Sequence, residues 1–213
     1  SYSYFTWRNT KWELSTYLTE LTTTDSRFVM RPNFFVNTPD INPYYLQTSG
    51  RPGFQVRLVL AASLGGNYGI YSGFELCEGT PIPGKEEYLD SEKYEIKAWD
   101  WDRPGHIRPD IALMNRLRRE RPALQQFADV TFYNAWNDNI LYYGKMTPAK
   151  DDFVLFAVNL DPHNGQGADF EVPLWEFGLS DDAAIEAEDL VNGNRFTWHG
   201  KIQHVWLDPN QNP

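Results

Sequence analysis

Residues 31–43 read RPNFFVNTPDINP, an apolar run that ends at an acidic residue between two prolines. The run at 34–36 is typical of a short buried strand, and the polar and proline residues after it mark the strand's end. Asp40 follows at once and has two interpretations. It is either a turn residue that satisfies local backbone amides, or a carboxylate that the end of a strand presents to a substrate.

Around this stretch, the first 121 residues alternate between strand-like and helical patterns. Strand-like runs are predicted at 2–7, 33–37 and 68–74. Thr10 and Glu13 form the capping-box pattern that starts a helix, a second helix is predicted over 51–66, and a third runs from Pro109 to Pro122. Strand followed by helix, repeated in this way, implies parallel strands joined by right-handed crossovers.

From Val130 onward the pattern changes to short strand-like runs separated by Gly, Asn, Asp and Pro, which predicts an antiparallel β-sandwich. We therefore divide the chain into an α/β part, residues 1–125, and an all-β part, residues 126–213. Three βα units cannot close a barrel, which needs eight, and an open piece would expose its sheet edges. We expect further units to precede Ser1.

Charge and composition argue against several classes of partner. The formal net charge is −10 and the pI is near 4.8, so the surface should repel the phosphates of nucleic acids. No run approaches the roughly 20 apolar residues of a membrane span. Cys77 is the single cysteine, which excludes an internal disulfide and fits a reducing cytoplasm. The four histidines lack metal-ligand spacing and no nucleotide-binding motif is present, so we expect neither metal nor cofactor.

Two motifs carry a resemblance to a known family. FFVNTPD at 34–40 resembles the strand-seven motif of the α-amylase superfamily, glycoside hydrolase family 13, with Thr38 and Pro39 in place of its Asn and His. GGNYGIYSGFELCE at 65–78 resembles the strand-eight motif, with Tyr71, Gly73 and Glu75 at its positions. The Thr-Pro-Asp variant is similar to the bacterial α-1,4-glucan:maltose-1-phosphate maltosyltransferases. So is the sequence outside the two motifs, from SYFTWRNTK to LRRERPALQ.

The resemblance implies a fold and a reaction. The fold would be the last three βα units of a (β/α)8 barrel followed by the β-sandwich. The reaction would move maltosyl units from α-maltose 1-phosphate to the non-reducing end of α-1,4-glucans with retention. In the family the nucleophile Asp and the acid/base Glu follow strands four and five, so both would precede Ser1, and this carboxy-terminal fragment alone should be inactive. Some sequence would also follow Pro213, and the full-length protein would be a homodimer.

The same resemblance assigns roles to individual residues. Asp40 would stabilise the transition state by holding the reacting glucose ring, and Lys93 and Tyr94 would bind the donor disaccharide. Glu75 is interpreted as a structural residue at the strand end, and Cys77 as a small buried apolar residue.

Two other functions remain open from the sequence. One is a different retaining activity of the same superfamily, such as an α-glucan hydrolase. The other is a non-catalytic glucan-binding module, in which tryptophans of the sandwich would form an aromatic platform, namely Trp136, Trp175, Trp198 and Trp206. The simpler expectation is that these indoles fill the sandwich core and its contact with the barrel, and that the module alone binds no glucan.

Overall fold

A computed structural model describes residues 3–211 and residue 213. The helices are α1 (Lys11–Thr23), α2 (Ser26–Val29), α3 (Tyr44–Thr48), α4 (Gly50–Leu64) and α5 (Arg108–Glu120). The strands are β1 (Asn33–Phe35), β2 (Asn67–Gly69), β3 (Val130–Phe132), β4 (Ile140–Met146), β5 (Phe153–Asn159), β6 (Gln166–Glu171), β7 (Ala184–Glu188), β8 (Arg195–His199) and β9 (Ile202–Leu207). Within the described residues, no helix combines the length and the apolar character needed to cross a bilayer.

The apolar run of the opening stretch forms β1, which pairs in parallel with β2. Phe34 lies opposite Tyr68 in this pair, and α3 and α4 make the connection between the two strands. Helix α4 is buried along most of its length and ends at Leu64, with Gly65 of the predicted stop as its C-cap. The predicted strand–helix–strand arrangement around residues 33–69 is therefore confirmed.

The predicted strand over 2–7 is wrong. Residues Tyr4–Trp7 form a 3-10 helix, while Tyr2 lies outside the described residues. The segment still runs beside β1, because the Ser3 hydroxyl donates to the Asn33 carbonyl at 3.3 Å and the Thr6 hydroxyl donates to the Phe35 carbonyl at 2.8 Å. These side chains contact the carbonyl groups that the backbone amides of a neighbouring strand would otherwise bind.

The predicted strand over 68–74 is shorter than expected. β2 ends at Gly69, and residues Phe74–Leu76 form a 3-10 helix. Gly73 precedes this helix with φ of 95°, a left-handed backbone that glycine adopts without strain. The chain therefore turns away from the sheet before residue 74.

The start of α1 follows its sequence signal. The Glu13 amide donates to the Thr10 side chain, and the Glu13 carboxylate accepts from the Thr10 amide in return. This reciprocal pair satisfies two amide groups that the first helical turn leaves without a partner. The predicted capping box is confirmed.

The second half of the chain consists of antiparallel pairs, as its sequence predicts. β3, β4 and β5 form one sheet in that order, β9 pairs with β6, and β8 pairs with β7. A 3-10 helix, Leu174–Phe177, separates β6 from β7. The predicted antiparallel strands are thus present, as sheets of two and three strands.

Strand β4 is buried on both of its faces. Leu141 and Tyr143 point into a cluster formed with the helices and β1, whereas Ile140 and Tyr142 point into a second cluster with β6. Alternate residues of a strand face opposite sides, so one strand can serve two cores. The helical part and the sandwich therefore share a hydrophobic core across β4.

Candidate functional site

Asp40 lies in a tight turn just past β1. Thr38 and Ile41 exchange both of their backbone hydrogen bonds, each at 3.1 Å, and leave Pro39 and Asp40 as a two-residue loop. The Thr38 hydroxyl accepts from the Asp40 amide at 3.2 Å and braces the turn. The Asp40 side chain itself points outward and is 67% exposed. Asp40 is thus a turn residue whose carboxylate remains available for other partners.

Lys93 contacts this carboxylate from the loop after β2. Its Nζ donates to Asp40 Oδ1 at 2.5 Å, although the two residues are 53 positions apart in the chain. The hydrogen bond to Asp40 raises the pKa of Lys93 above its usual value, and a second contribution comes from Tyr94. The Tyr94 ring lies 5.3 Å from Nζ and is largely exposed. The structure therefore brings together the three residues that the sequence singled out.

A buried polar residue, Asn37, anchors the Asp40 turn from below. Its side chain is fully buried; Nδ2 donates to the Tyr88 hydroxyl at 2.7 Å and Oδ1 accepts from the Tyr71 amide at 2.8 Å. Sequence reasoning missed Asn37 and Tyr88 as parts of the site. The available signal was an asparagine directly after an apolar run, where a buried amide needs partners that only tertiary structure supplies.

The loop that carries Lys93 is attached to the end of β2 by aromatic side chains. The Tyr71 hydroxyl accepts from the Glu92 amide at 2.8 Å, and Trp99 Nε1 donates to the Glu92 carboxylate at 3.0 Å. Trp99 packs directly over Gly73, where a Cβ atom would come within 2.8 Å of the indole. Glu92, the residue before Lys93, is thus fixed by hydrogen bonds to both its backbone amide and its carboxylate.

Glu75 and Cys77 both contact the segment that leads into α5. The Glu75 carbonyl accepts from the Ile107 amide at 2.8 Å, a contact that links the strand-eight motif to the start of α5. Cys77 is half-buried, its thiol donates to the Gly105 carbonyl at 3.6 Å, and burial raises its pKa to about 11. A thiol with this pKa is protonated near neutrality and is a weak nucleophile.

The expectation that four tryptophans fill the sandwich core is wrong for three of them. Trp136, Trp175 and Trp206 are 59%, 46% and 65% exposed, and only Trp198 packs inward, with its ring 5.7 Å from that of Phe170. Trp206 lies flat on its own sheet because Gly165 leaves room for it: a Cβ at Gly165 would come within 2.5 Å of the indole. These three indoles are therefore exposed instead of filling the space between the sheets.

Comparison with known proteins gives close relatives across the chain. A protein family described as "GLGE, C-terminal" matches residues 132–213. The chain is 67% identical over all 213 residues to an alpha-1,4-glucan:maltose-1-phosphate maltosyltransferase of Cereibacter sphaeroides, and 59% identical over 98% of its length to the protein of that name from Pseudomonas aeruginosa. It spans about a third of the length of these curated relatives, 32% of each.

Solved structures share the fold at much lower identity. The α-amylase of Geobacillus thermoleovorans aligns with a TM-score of 0.64 and 13% identity, covering 96% of this chain and 42% of that one. The maltogenic α-amylase AmyB of Thermotoga neapolitana gives 0.61 and 12%, covering 94% and 44%. Over its whole length the chain is thus similar in sequence to about a third of the length of the alpha-1,4-glucan:maltose-1-phosphate maltosyltransferases, and its residues 132–213 match a family described by their carboxy-terminal part.

Proposed function

We propose that the chain is part of a retaining enzyme that transfers maltosyl units from α-maltose 1-phosphate to the non-reducing end of an α-1,4-glucan. The names and identities of its relatives support this function. The observation that carries the proposal at residue level is the contact of Lys93 Nζ with Asp40 Oδ1 at 2.5 Å, with Tyr94 beside it. Residues that the family resemblance assigns to one site from two separate segments of the chain lie together.

Retention requires two displacements at the anomeric carbon. A carboxylate first forms a bond to that carbon as the bond to phosphate breaks and a carboxylic acid protonates the departing phosphate oxygen. The carboxylate left by that acid then removes the proton from the acceptor hydroxyl, while the hydroxyl oxygen attacks the anomeric carbon and displaces the first carboxylate. In the proposal, both of these groups belong to the longer protein outside this chain. The residues of this chain bind the reacting sugar and stabilise the positive charge that develops on its ring in the transition state.

Asp40 has the position and charge for the second task. Its exposed carboxylate lies just past the end of a parallel strand, the edge at which the catalytic groups of α/β barrels gather. The transition state of glycosyl transfer has oxocarbenium character, so a fixed negative charge near the ring favours it over the ground state. Hydrogen bonds from the sugar hydroxyls to Asp40 would hold the ring in place.

Lys93 and Tyr94 fit the binding of the donor disaccharide. The Lys93 ammonium has three hydrogens, and its bond to Asp40 leaves others for sugar hydroxyls. The exposed Tyr94 ring offers both an apolar face and a hydroxyl to a sugar. Donor binding would thus use a cation and an aromatic ring that already flank the carboxylate.

Replacing Lys93 by methionine tests this assignment. In the full-length enzyme, Lys93→Met should raise KM for α-maltose 1-phosphate by roughly 10-fold or more, since a hydrogen bond from a charged group contributes about 1.5–3 kcal/mol. The kcat should fall less than KM rises, because the contact is present in both the ground state and the transition state. The assay measures phosphate release with an α-1,4-glucan acceptor at varied donor concentration.

Lys85→Met is the matched control, because Lys85 is an exposed lysine of the same loop whose Nζ pairs with Glu87 at 3.8 Å and not with Asp40. It should leave KM within about two-fold, as expected for a surface ion pair. Equal KM values for Lys93→Met and the parent enzyme would exclude Lys93 from donor binding. A parent enzyme that releases no phosphate from α-maltose 1-phosphate would contradict the function itself.

The proposal extends to the architecture. We assign residues 1–125 to the last βα units of a (β/α)8 barrel and residues 126–213 to its sandwich domain. The parallel β1–β2 pair and its helical crossover support the first assignment, and the antiparallel sheets support the second. A cytoplasmic location and a homodimeric full-length protein complete the proposal and rest on the family resemblance alone.

A further inference from the structure

Beneath the exposed Asp40–Lys93 pair lies a cluster of three polar side chains that the proposed chemistry does not use, Asn37, Tyr71 and Tyr88. Asn37 is fully buried and Tyr88 is 5% exposed. The two tyrosine rings pack with centroids 5.5 Å apart and planes inclined at 56°. Asn37 comes from the segment just after β1, and Tyr71 and Tyr88 come from the segment that follows β2.

The Asn37 side-chain nitrogen and oxygen each have a hydrogen-bond partner, and these partners, Tyr88 and Tyr71, are 17 positions apart in the chain. Nδ2 donates to the Tyr88 hydroxyl at 2.7 Å, and Oδ1 accepts from the Tyr71 amide at 2.8 Å. The Val36 amide donates to the Gly69 carbonyl at 3.1 Å just before it, so the Asn37 side chain continues the β1–β2 contacts past the end of the sheet. A buried amide that lost either partner would retain an unsatisfied polar group, which makes the arrangement specific.

The cluster reaches both members of the exposed pair. On one side, Asn37 directly precedes Thr38, the first residue of the turn that presents Asp40. On the other, the Tyr71 hydroxyl accepts from the amide of Glu92, the residue before Lys93. Asp40 and Lys93 are themselves exposed, and their mutual hydrogen bond alone would not fix them in water.

We propose that Asn37, Tyr71 and Tyr88 act as a positioning clamp that sets the location of the Asp40 carboxylate and of Lys93 relative to each other and to the donor sugar. The inference rests on the proposed function, since it concerns how that site is held. None of the three residues needs to touch the substrate. Their effect on turnover passes through Asp40, because small displacements of a reacting group are costly: a 1 Å shift can lower the rate by about 100-fold.

Tyr88→Phe is the sharpest test, because it removes one buried hydroxyl and keeps the ring. In the full-length transferase we expect kcat to fall roughly 10-fold, a part of the loss that a full 1 Å misplacement brings. In an Asp40→Asn background the same substitution should lower kcat by less than about two-fold, since the carboxylate that it positions is already gone. Tyr143→Phe is the matched control.

The Tyr143 hydroxyl is also buried and lies 2.6 Å from Ser63 Oγ, but it belongs to β4 in the shared core. Tyr143→Phe should lower Tm by an amount similar to Tyr88→Phe and leave kcat unchanged. Tyr71→Phe, which removes the acceptor of the Glu92 amide, is the second variant should Tyr88→Phe fail to fold. It should raise donor KM through Lys93 and lose this effect in a Lys93→Met background.

The possible results separate the clamp from the proposed function. Near-normal turnover of Asp40→Asn alone would overturn the function assigned to the site. A low turnover of Asp40→Asn together with an unchanged kcat of Tyr88→Phe would overturn the clamp. So would a Tyr88→Phe loss of equal size in both backgrounds, because that loss would not pass through Asp40.

Discussion

Replacing Asp40 by asparagine is expected to lower kcat for maltosyl transfer in the full-length enzyme by about 1,000-fold, the scale of removing one preorganised electrostatic group from an active site. The substitution keeps the shape of the side chain and removes the negative charge that would face the reacting sugar. The fold should survive, because the Asp40 side chain is 67% exposed and its pair with Lys93 is a surface ion pair worth about 0–1 kcal/mol. The measurement is steady-state phosphate release alongside Tm.

Asp90→Asn is the control for this experiment. Asp90 is an exposed aspartate of the loop that also carries Lys93, and its φ of 50° is a left-handed value that asparagine adopts readily. It should retain turnover within about two-fold, as most surface substitutions do. If Asp40→Asn behaved like Asp90→Asn, the transition-state role of Asp40 would be refuted.

The second large effect concerns stability and the buried residue Arg57 of α4. Its side chain is 1% exposed, and its guanidinium donates to the backbone carbonyls of Arg8 at 2.5 Å and Phe5 at 2.6 Å. Burial lowers its pKa to about 10. Arg57→Met should reduce the free energy of unfolding by about 3 kcal/mol or more, because the two carbonyls lose their donor inside the core and each unsatisfied group costs about 1–3 kcal/mol.

Equilibrium unfolding of the protein in guanidinium chloride measures this loss, and Arg116→Met is the control. Arg116 lies on α5, is largely exposed and faces Glu120 at 3.9 Å, so its replacement should change stability by less than about 0.5 kcal/mol. If the two variants had the same free energy of unfolding, the carbonyls of residues 5 and 8 would have found other hydrogen-bond donors. The role of Arg57 in tying α4 to that segment would then be wrong.

The parts of the fold with strong local signals could be predicted from sequence. The Thr10–Glu13 cap, the glycine stop of α4 and the apolar run of β1 depend on neighbouring residues, and each is present where the sequence indicates it. The segment 2–7 has β-type residues as well, but Ser3 and Thr6 bind β1 through their hydroxyls, and this contact with a distant segment has no local signature. Tertiary contacts therefore override the local preference.

The sequence indicated some residues of the candidate site and missed others, because contacts between residues far apart in the chain leave no local pattern. The motif at 34–40 and the pattern at 93–94 indicated Asp40, Lys93 and Tyr94 through a family resemblance, whereas their contact over 53 positions appears only in three dimensions. Asn37 and Tyr88 were missed because a buried hydrogen bond between residues 51 positions apart leaves no pattern in the sequence. The tryptophans were mispredicted in the opposite sense: a core position was expected for each, because aromatic residues are usually buried, but Trp136, Trp175 and Trp206 are exposed.

The most direct test of the account is a crystal structure of the full-length enzyme with an unreactive analogue of α-maltose 1-phosphate in the active site. It should place hydroxyls of the reacting glucose ring within about 3 Å of the Asp40 carboxylate, a normal hydrogen-bond length, with Lys93 and Tyr94 against the disaccharide. An analogue bound at the nucleophile while Asp40 stays paired with Lys93, out of hydrogen-bonding reach of any sugar hydroxyl, would contradict it.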